Sequence, residues 1–204
     1  MVAIAQIGDR TDLVPIVEWI EPGSSVLDLG CGDGSLLEHL VRHKAVRGMG
    51  VDVDLETILR CIEKGIPVLQ LDLNEPLDAF PDGSYDYVIV SQTMHQLAHP
   101  DRLIADILRI GRRAVVSFPN FGHVVLRLQL LLRGRMPKSR TLPFEWYGTP
   151  NIHMSTIADF EEFCLRRGVR ILRLGYVTRG RYAPRMRWPN LLSEGCVALL
   201  EKAA

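Results

Sequence analysis

The stretch Val26 to Gly34, Val-Leu-Asp-Leu-Gly-Cys-Gly-Asp-Gly, constrains this chain more than any other. A short apolar strand breaks into glycines at alternate positions, and a helical pattern then starts at Ser35 with Leu36, Leu37 and Leu40 on one face. Glycine is needed where the backbone turns sharply or comes so close to a ligand that a Cβ would collide. The N–H groups that open the following helix have no intrahelical partner and face the turn. Strand, glycine turn and helix in that order place a nucleotide-type pocket at the carboxyl end of a parallel strand.

The spacing excludes two other glycine loops. Gly30, Gly32 and Gly34 alternate strictly, which is not the dinucleotide pattern G-x-G-x-x-G, and no Gly-Lys-Ser/Thr follows to make a phosphate loop. Later segments add acids at strand ends. Gly48 to Asp54 reads as a second strand, and Asp52 stands about 20 residues beyond the loop, where a carboxylate accepts hydrogen bonds from ribose hydroxyls. Asp54 reads equally as the cap of a helix beginning near Leu55. A third strand, Val68 to Leu71, leads into Asp72, and Pro81-Asp82-Gly83-Ser84 turns into a fourth, Tyr85 to Val90.

The chain's 204 residues fit one domain, 1–204, large enough for a core without disulfide or metal support. Formal net charge is zero, which argues against a general nucleic-acid binder. No basic-then-apolar leader opens the chain, and no apolar run reaches membrane-spanning length. The longest candidate, Val124 to Leu132, is short and contains Arg127 and Gln129. Cys31, Cys61, Cys164 and Cys196 form no C-x-x-C pair, so the expectation is reduced thiols in the cytoplasm, with neither a disulfide framework nor a zinc site. Cys31 stands in the glycine loop, where small size explains it better than a nucleophilic role.

A short helix, Leu13 to Ile20, ends at Glu21-Pro22-Gly23; strands and helices then alternate, which implies a parallel sheet covered on both faces. Helices are expected near Ser35–His43, Leu55–Lys64 and Arg102–Ile110, and a fifth strand at Ala114–Phe118. The segment from Pro119 to His153 breaks the alternation and reads as a lid. It holds an apolar helix at Val124–Leu132, whose stripe Val124, Leu128, Leu131 and Leu132 reads as lid core, then a basic loop and the run Phe144-Glu145-Trp146-Tyr147. Ser155 is the expected N-cap of a helix carrying Ile157, Phe160, Phe163 and Cys164. Two last strands, Arg170–Tyr176 and Cys196–Leu200, flank an arginine-rich connection. His95, Asn120, His123, Glu145, Tyr147 and His153 are expected to converge on a substrate, with His95 or His123 as base and Tyr147 as a further catalytic candidate. These residues specify a pocket, not a reaction. Two basic groups, Arg133, Arg135, Lys138 and Arg140, and Arg179, Arg181, Arg185 and Arg187 beside Trp188, are candidate docking surfaces.

The ordered signals in the first three-fifths of the chain resemble the S-adenosylmethionine-dependent methyltransferases of the Rossmann-like class. That resemblance implies an α/β fold with a seven-stranded, mostly parallel sheet, helices on both faces, an antiparallel final pair and a lid insertion before the sixth strand. It further implies that Asp28, Gly30, Cys31 and Gly32 face the amino-acid part of S-adenosylmethionine or S-adenosylhomocysteine. Asp52 and Val53 would meet the ribose, Asp72 and Leu73 the adenine, and Ser91 would close the fourth strand. A closer resemblance covers the lid as well. Leu27 to Gly34, Val90-Ser91-Gln92-Thr93, Ser117 to His123, Leu128 to Leu132, Gly134 to Pro137 and Pro143 to His153 look like the methionine biosynthesis family MetW. This family resemblance implies a partner or activator of the homoserine O-acyltransferase MetX; the alternative is an active methyltransferase on a small molecule. One departure is His95-Gln96-Leu97-Ala98-His99, where the family pattern leads one to expect fewer histidines.

Overall fold

In the computed structural model of this chain, which describes residues 10–203, the expected alternation forms one sheet. Its strands are β1 (Ser25–Leu29), β2 (Arg47–Asp52), β3 (Val68–Gln70), β4 (Tyr85–Ser91), β5 (Gly111–Pro119), β6 (Val169–Thr178), β7 (Arg181–Ala183) and β8 (Gly195–Lys202). The order across the sheet is β3-β2-β1-β4-β5-β8-β6-β7. The first five of these are parallel to their neighbours, whereas β8 runs antiparallel to both β5 and β6, and β7 antiparallel to β6. Residues 1–9, where a leader would stand, lie outside the described residues. No helix among the described residues is long and apolar enough to cross a membrane.

Successive strand side chains point to opposite faces, and the central strands are apolar on both. Leu27, Leu29, Val88, Val90, Ala114, Val116 and Phe118 pack into one cluster with Leu103, Ile104 and Ile107 of α4 (Pro100–Ile110) and Ile157, Phe160 and Cys164 of α6 (Ile157–Arg166). Val26, Tyr87, Ile89, Val115 and Val197 face the other way, onto Leu13, Ile16 and Val17 of α1 (Leu13–Trp19) and Leu36, Leu37 and Leu40 of α2 (Ser35–Lys44). Lys44 donates to the carbonyls of Val17 and Ile20, satisfying the end of α1 and fixing it to α2. The resulting three-layer arrangement brings the carboxyl ends of β1, β2, β3, β4 and β5 to one edge of the sheet. The connection reverses between β1 and β4, and that reversal is the crevice where such sheets take ligands.

The structure departs from the sequence reading in four places. An eighth strand, β7, lies in the arginine-rich connection; Arg179 (φ 49°) and Gly180 (φ 70°) are both left-handed and turn β6 back on itself. β7 is too short to show an alternating pattern, which is why seven strands were expected. The second strand ends at Asp52, because the Asp54 side chain accepts from the amides of Glu56 (2.7 Å) and Thr57 (3.2 Å) and caps α3 (Leu55–Glu63). Thr156, rather than Ser155, caps α6: its hydroxyl accepts from Asp159 N at 3.1 Å while Asp159 accepts from Thr156 N at 3.0 Å. Only Thr156 has an acid three residues on, and that reciprocal pair decides the start.

The fourth departure is α5 (Val124–Arg133), whose stripe is not a lid core. Leu126 alone is buried, while Leu131 and Leu132 are each 78% exposed and Val125, Leu128 and Leu130 are about half exposed. A helix apolar on all sides needs cover on all sides. The residues that follow it, up to Asn151, contain no helix or strand and supply no opposing layer.

Replacing Thr156 by Ala is expected to lower unfolding stability by about 1 kcal/mol, whereas Ser155→Ala is expected to be near neutral. Urea denaturation of both variants checks this. Equal losses would put the helix start back at Ser155.

Candidate functional site

The glycine turn lies at the carboxyl end of β1 with Gly30, Gly32 and Gly34 all at positive φ (77°, 54° and 72°). Two of these glycines are also required by close neighbours. A Cβ on Gly30 would stand 2.4 Å from Thr93 Oγ1, and one on Gly34 would stand 2.9 Å from Cys61 Sγ. Around Gly32 nothing lies within 4 Å of the Cβ position, so the middle of the turn borders open space. The turn's amides are used internally: Gly30 N and Cys31 N donate to Val51 O (2.8 and 3.0 Å), and Gly32 N donates to Asp52 Oδ2 at 2.8 Å. Ser35 N, the first of α2, goes to Asp33 Oδ1 at 3.2 Å. The turn proper is therefore a preformed wall, held by its own hydrogen bonds.

Lys64, just past α3, holds the far side of the turn. Its ammonium donates to Asp33 O (2.8 Å), Asp33 Oδ2 (2.7 Å) and Ser35 Oγ (2.7 Å). Partial burial works to raise the Asp33 carboxyl, but the bonds from Lys64 and Ser35 outweigh it and hold it below the usual range. Cys31 and Cys61 meet behind the turn with sulfurs 3.9 Å apart, both buried and both free. Burial pushes both thiols up, so neither is a ready nucleophile.

Asp28 is the most unusual group here. It is 2% exposed, and its Oδ1 has no hydrogen-bond partner among the described residues. Burial pushes its carboxyl up to about 7, against the opposing field of Arg10. A buried carboxyl without a partner costs stability, which makes Asp28 a candidate functional residue. At the neighbouring strand end, Ser91 is buried and its hydroxyl meets Arg10 Nη2 (2.7 Å), Ser117 Oγ (3.0 Å) and Asp12 Oδ2 (3.2 Å). Gln92 follows at φ 58°, a strained conformation fixed by its N–H to Ser117 O at 3.0 Å.

The other expected cofactor contacts stand along the same edge. Asp52 lies at the end of β2, half-buried, its Oδ1 accepting from Asp54 N at 3.0 Å. Val53 beside it is 61% exposed. Asp72 follows β3, exposed, its Oδ1 accepting from both Asn74 N and Asn74 Nδ2 at 2.9 Å, and Leu73 packs partly against the core. The structure thus gathers Asp28, Gly30, Cys31, Gly32, Asp52, Val53, Asp72, Leu73 and Ser91 on the carboxyl edge of β1–β4.

Of the residues expected to converge, only His95 and His153 line one cavity; His123 and Tyr147 stand apart from it. His95 is 5% exposed; burial brings its imidazole down to about 4, against a weaker pull from Asn151, so it is neutral at pH 7. Its carbonyl accepts from Ile152 N and His153 N, fastening the end of the lid segment. His123 is the N-cap of α5, accepting from Val125 N at 3.4 Å. Tyr147 is 74% exposed and stands edge-on to Trp146 at 5.5 Å. Glu145 pairs with Lys138, and buried Asn120 binds the carbonyls of Ser193 (2.7 Å) and Asn190 (3.1 Å). His123, Glu145 and Asn120 each serve a piece of local structure, whereas the His95 Nδ1 is buried with no hydrogen-bond partner among the described residues. Arg140 is likewise engaged, by Glu194 at 3.0 Å. A cavity of about 500 Å³ lined by His95, His153, Ile104, Asp159, Phe160 and Arg167 lies between α4 and α6, and no residue of the glycine turn lines it. Among the described residues no group of His, Cys, Asp and Glu could hold a metal ion.

Arg10 and Asp12 were not legible from the sequence. They precede the first helix and carry no motif; only the fold brings them across the ends of β4 and β5.

A model of the methionine biosynthesis protein MetW matches residues 10–200. The chain is 42% identical over 162 residues to the bifunctional methionine biosynthesis protein MetXA/MetW of Rhodopirellula baltica; the match takes in 75% of this chain and 26% of that relative. The chain thus spans about a quarter of this relative's length. Among solved structures, an S-adenosylmethionine-dependent methyltransferase of Mesorhizobium loti superposes with a TM-score of 0.69 at 18% identity, over 95% of this chain and 99% of that one. One from Archaeoglobus fulgidus gives 0.66 at 16%, over 93% and 91%. At such identities the likeness is one of fold.

Because burial raises Asp28, the folded chain holds a proton there that the unfolded chain has lost, and stability falls as pH rises from about 4 to about 7. Asp28→Asn is expected to remove that slope and to be the more stable form at pH 8 without ligand. Denaturation midpoints of both proteins from pH 4 to 8 check this; parallel curves would mean that Asp28 has a partner or solvent.

Proposed function

The chain belongs to the MetW family of methionine biosynthesis proteins, and from that premise we propose that it binds S-adenosylmethionine or S-adenosylhomocysteine and assists the homoserine O-acyltransferase MetX in the cytoplasm. The observation that carries the partner is the relative in which MetXA and MetW are one chain. Fusion keeps two functions together at high effective concentration, and separate chains that need each other meet the same requirement by docking.

The residues at the strand ends fit the nucleoside ligand. Its α-ammonium is a cation of the kind that a buried, unpartnered Asp28 carboxyl lacks. The open space beside Gly32 leaves room for its chain to pass against the turn formed by Gly30, Cys31 and Gly32. Asp52 retains lone pairs for ribose hydroxyls, with Val53 alongside, and the family resemblance assigns Asp72 and Leu73 to the adenine. Ser91 closes the β4 side. When bound as S-adenosylmethionine, the ligand supplies an activated methyl group. Of the candidates for a base, His123 caps α5 and Tyr147 is set apart on the surface, whereas His95 lines a cavity that no residue of the glycine turn borders, which favours a sensing role over transfer.

The apolar side of α5 supports the same partner. Val125, Leu128, Leu131 and Leu132 form an exposed i, i+3, i+6, i+7 stripe beside the basic Arg133 and Arg135. An uncovered leucine stripe of this kind is a surface that another protein buries. Methionine synthesis ends in S-adenosylmethionine, so a chain that binds both this ligand and the acyltransferase reports demand through linkage. Each then changes the affinity of the other by the same factor.

The test is the rate of homoserine O-acylation by the acyltransferase of the same organism, with and without this chain. A rise in rate, or a stable complex, is expected; Leu131→Glu with Leu132→Glu is expected to weaken both at least tenfold without lowering the melting temperature. No change in rate and no complex would reject the helper role and leave a methyltransferase, which would form S-adenosylhomocysteine with some cellular acceptor.

A further inference from the structure

We propose that the cavity between α4 and α6 is a second ligand site, which takes a free α-amino acid with an uncharged, largely apolar side chain. The inference goes beyond the nucleoside reading and does not rest on it, since neither the glycine turn nor any acid at a strand end lines this cavity.

The cavity's volume, about 500 Å³, is that of a small-molecule site. Met94, Ile104 and Phe160, all buried, form its floor, and Phe163 packs beside them. Such a floor accepts an apolar side chain, and thioether and aromatic groups together suit a soft one. His95 supplies the polar spot in this wall. Its side chain is almost wholly buried, yet Nδ1 has no hydrogen-bond partner among the described residues. The backbone that carries the ring is fixed, with the His95 carbonyl accepting from Ile152 N (2.9 Å) and His153 N (3.0 Å). A buried neutral imidazole offers one N–H and one lone pair, which suits an uncharged polar atom on the ligand's side chain.

The mouth carries one pair of opposite charges, each from a different wall. Arg167, at the end of α6, donates from Nη2 to Asp101 Oδ2 of α4 at 3.1 Å, with its guanidinium 5.6 Å from the centre of the Phe163 ring. Arg167 Nε and Nη1, and Asp101 Oδ1, have no further partner among the described residues. The other rim groups are committed. Asp159 accepts from Thr156 N and Thr156 Oγ1 at 3.0 and 2.7 Å, and the His153 ring stands 3.4 Å from Ala98 O. The spare donors and acceptor of the Arg167–Asp101 pair are the complement of a zwitterion. The ligand's carboxylate accepts from the guanidinium and its ammonium donates to Asp101 Oδ1, both in charge-assisted hydrogen bonds. Its side chain then runs inward over Phe163 to the floor and His95.

Calorimetry with L-methionine, whose thioether matches the floor, tests this. The wild-type chain is expected to bind it at one saturable site, with the same affinity in the presence of excess S-adenosylhomocysteine. Arg167→Ala and Asp101→Asn are each expected to weaken it by about tenfold. Melting temperatures should not move, because an exposed ion pair contributes little to stability. 3-(Methylthio)propylamine, which lacks the carboxylate, is expected to bind the wild-type chain and Arg167→Ala equally. An absence of saturable binding up to about 10 mM L-methionine would overturn the proposal. So would binding that excess S-adenosylhomocysteine abolishes and Arg167→Ala leaves intact: methionine would then sit at the strand ends, and Asp101 and Arg167 would only latch the two helices together.

Discussion

The hydrogen bond from the Gly32 amide to the Asp52 carboxylate, 2.8 Å long, joins the ends of β1 and β2 and fixes the shape of everything at that edge. With that bond made, the glycine turn has one conformation. Val51 O takes the two preceding amides, and Lys64 ties Asp33 and the start of α2 from the other side. The turn satisfies most of its own amides and so stands ready without a ligand. A carboxylate that already accepts an amide is also oriented, with its remaining lone pairs aimed by the bond it makes. Preorganisation of this kind reduces the ordering cost of binding.

Against this satisfied loop, Asp28 stands out. The same edge leaves the Asp28 carboxyl buried with one oxygen unpartnered among the described residues, and burial raises it to about 7. Such a group destabilises the fold at neutral pH, and its position at the topological switch point gives a reason for keeping it. Site and fold meet there. The strands that flank the switch carry the acid on one side and, through Ser91, the Arg10 fork on the other.

Much of this was legible in the chain itself. The glycine alternation, the acids at 28, 52 and 72, and the apolar runs of β1, β2, β4 and β5 are local patterns, and local patterns place strands and turns well. What escaped depends on contacts distant in sequence. Arg10 meets Ser91 across 81 positions and Asp12 meets Ser117 across 105, pairings that no motif encodes. Cys31 and Cys61, apparently scattered, become neighbours because α3 packs behind the turn. The helix α5 misled for a different reason. Its leucines read as core, but a pattern records that a face is apolar, not what covers it, and here no other described residue does. The histidines looked like a convergent set because they sit near strand ends; folded, His123 caps α5, and His95 and His153 line a cavity away from the glycine turn.

The most direct test is proton release on ligand binding. Titration calorimetry of S-adenosylhomocysteine at pH 6.5, repeated in buffers of different ionisation enthalpy, reads the number of protons exchanged. An ammonium brought to Asp28 lowers a carboxyl that is otherwise about half protonated near pH 7. The expected result is binding with release of a substantial fraction of a proton, abolished in Asp28→Asn. Binding without proton release, or no binding at all, would contradict the assignment of this edge as the site for the nucleoside's amino-acid end.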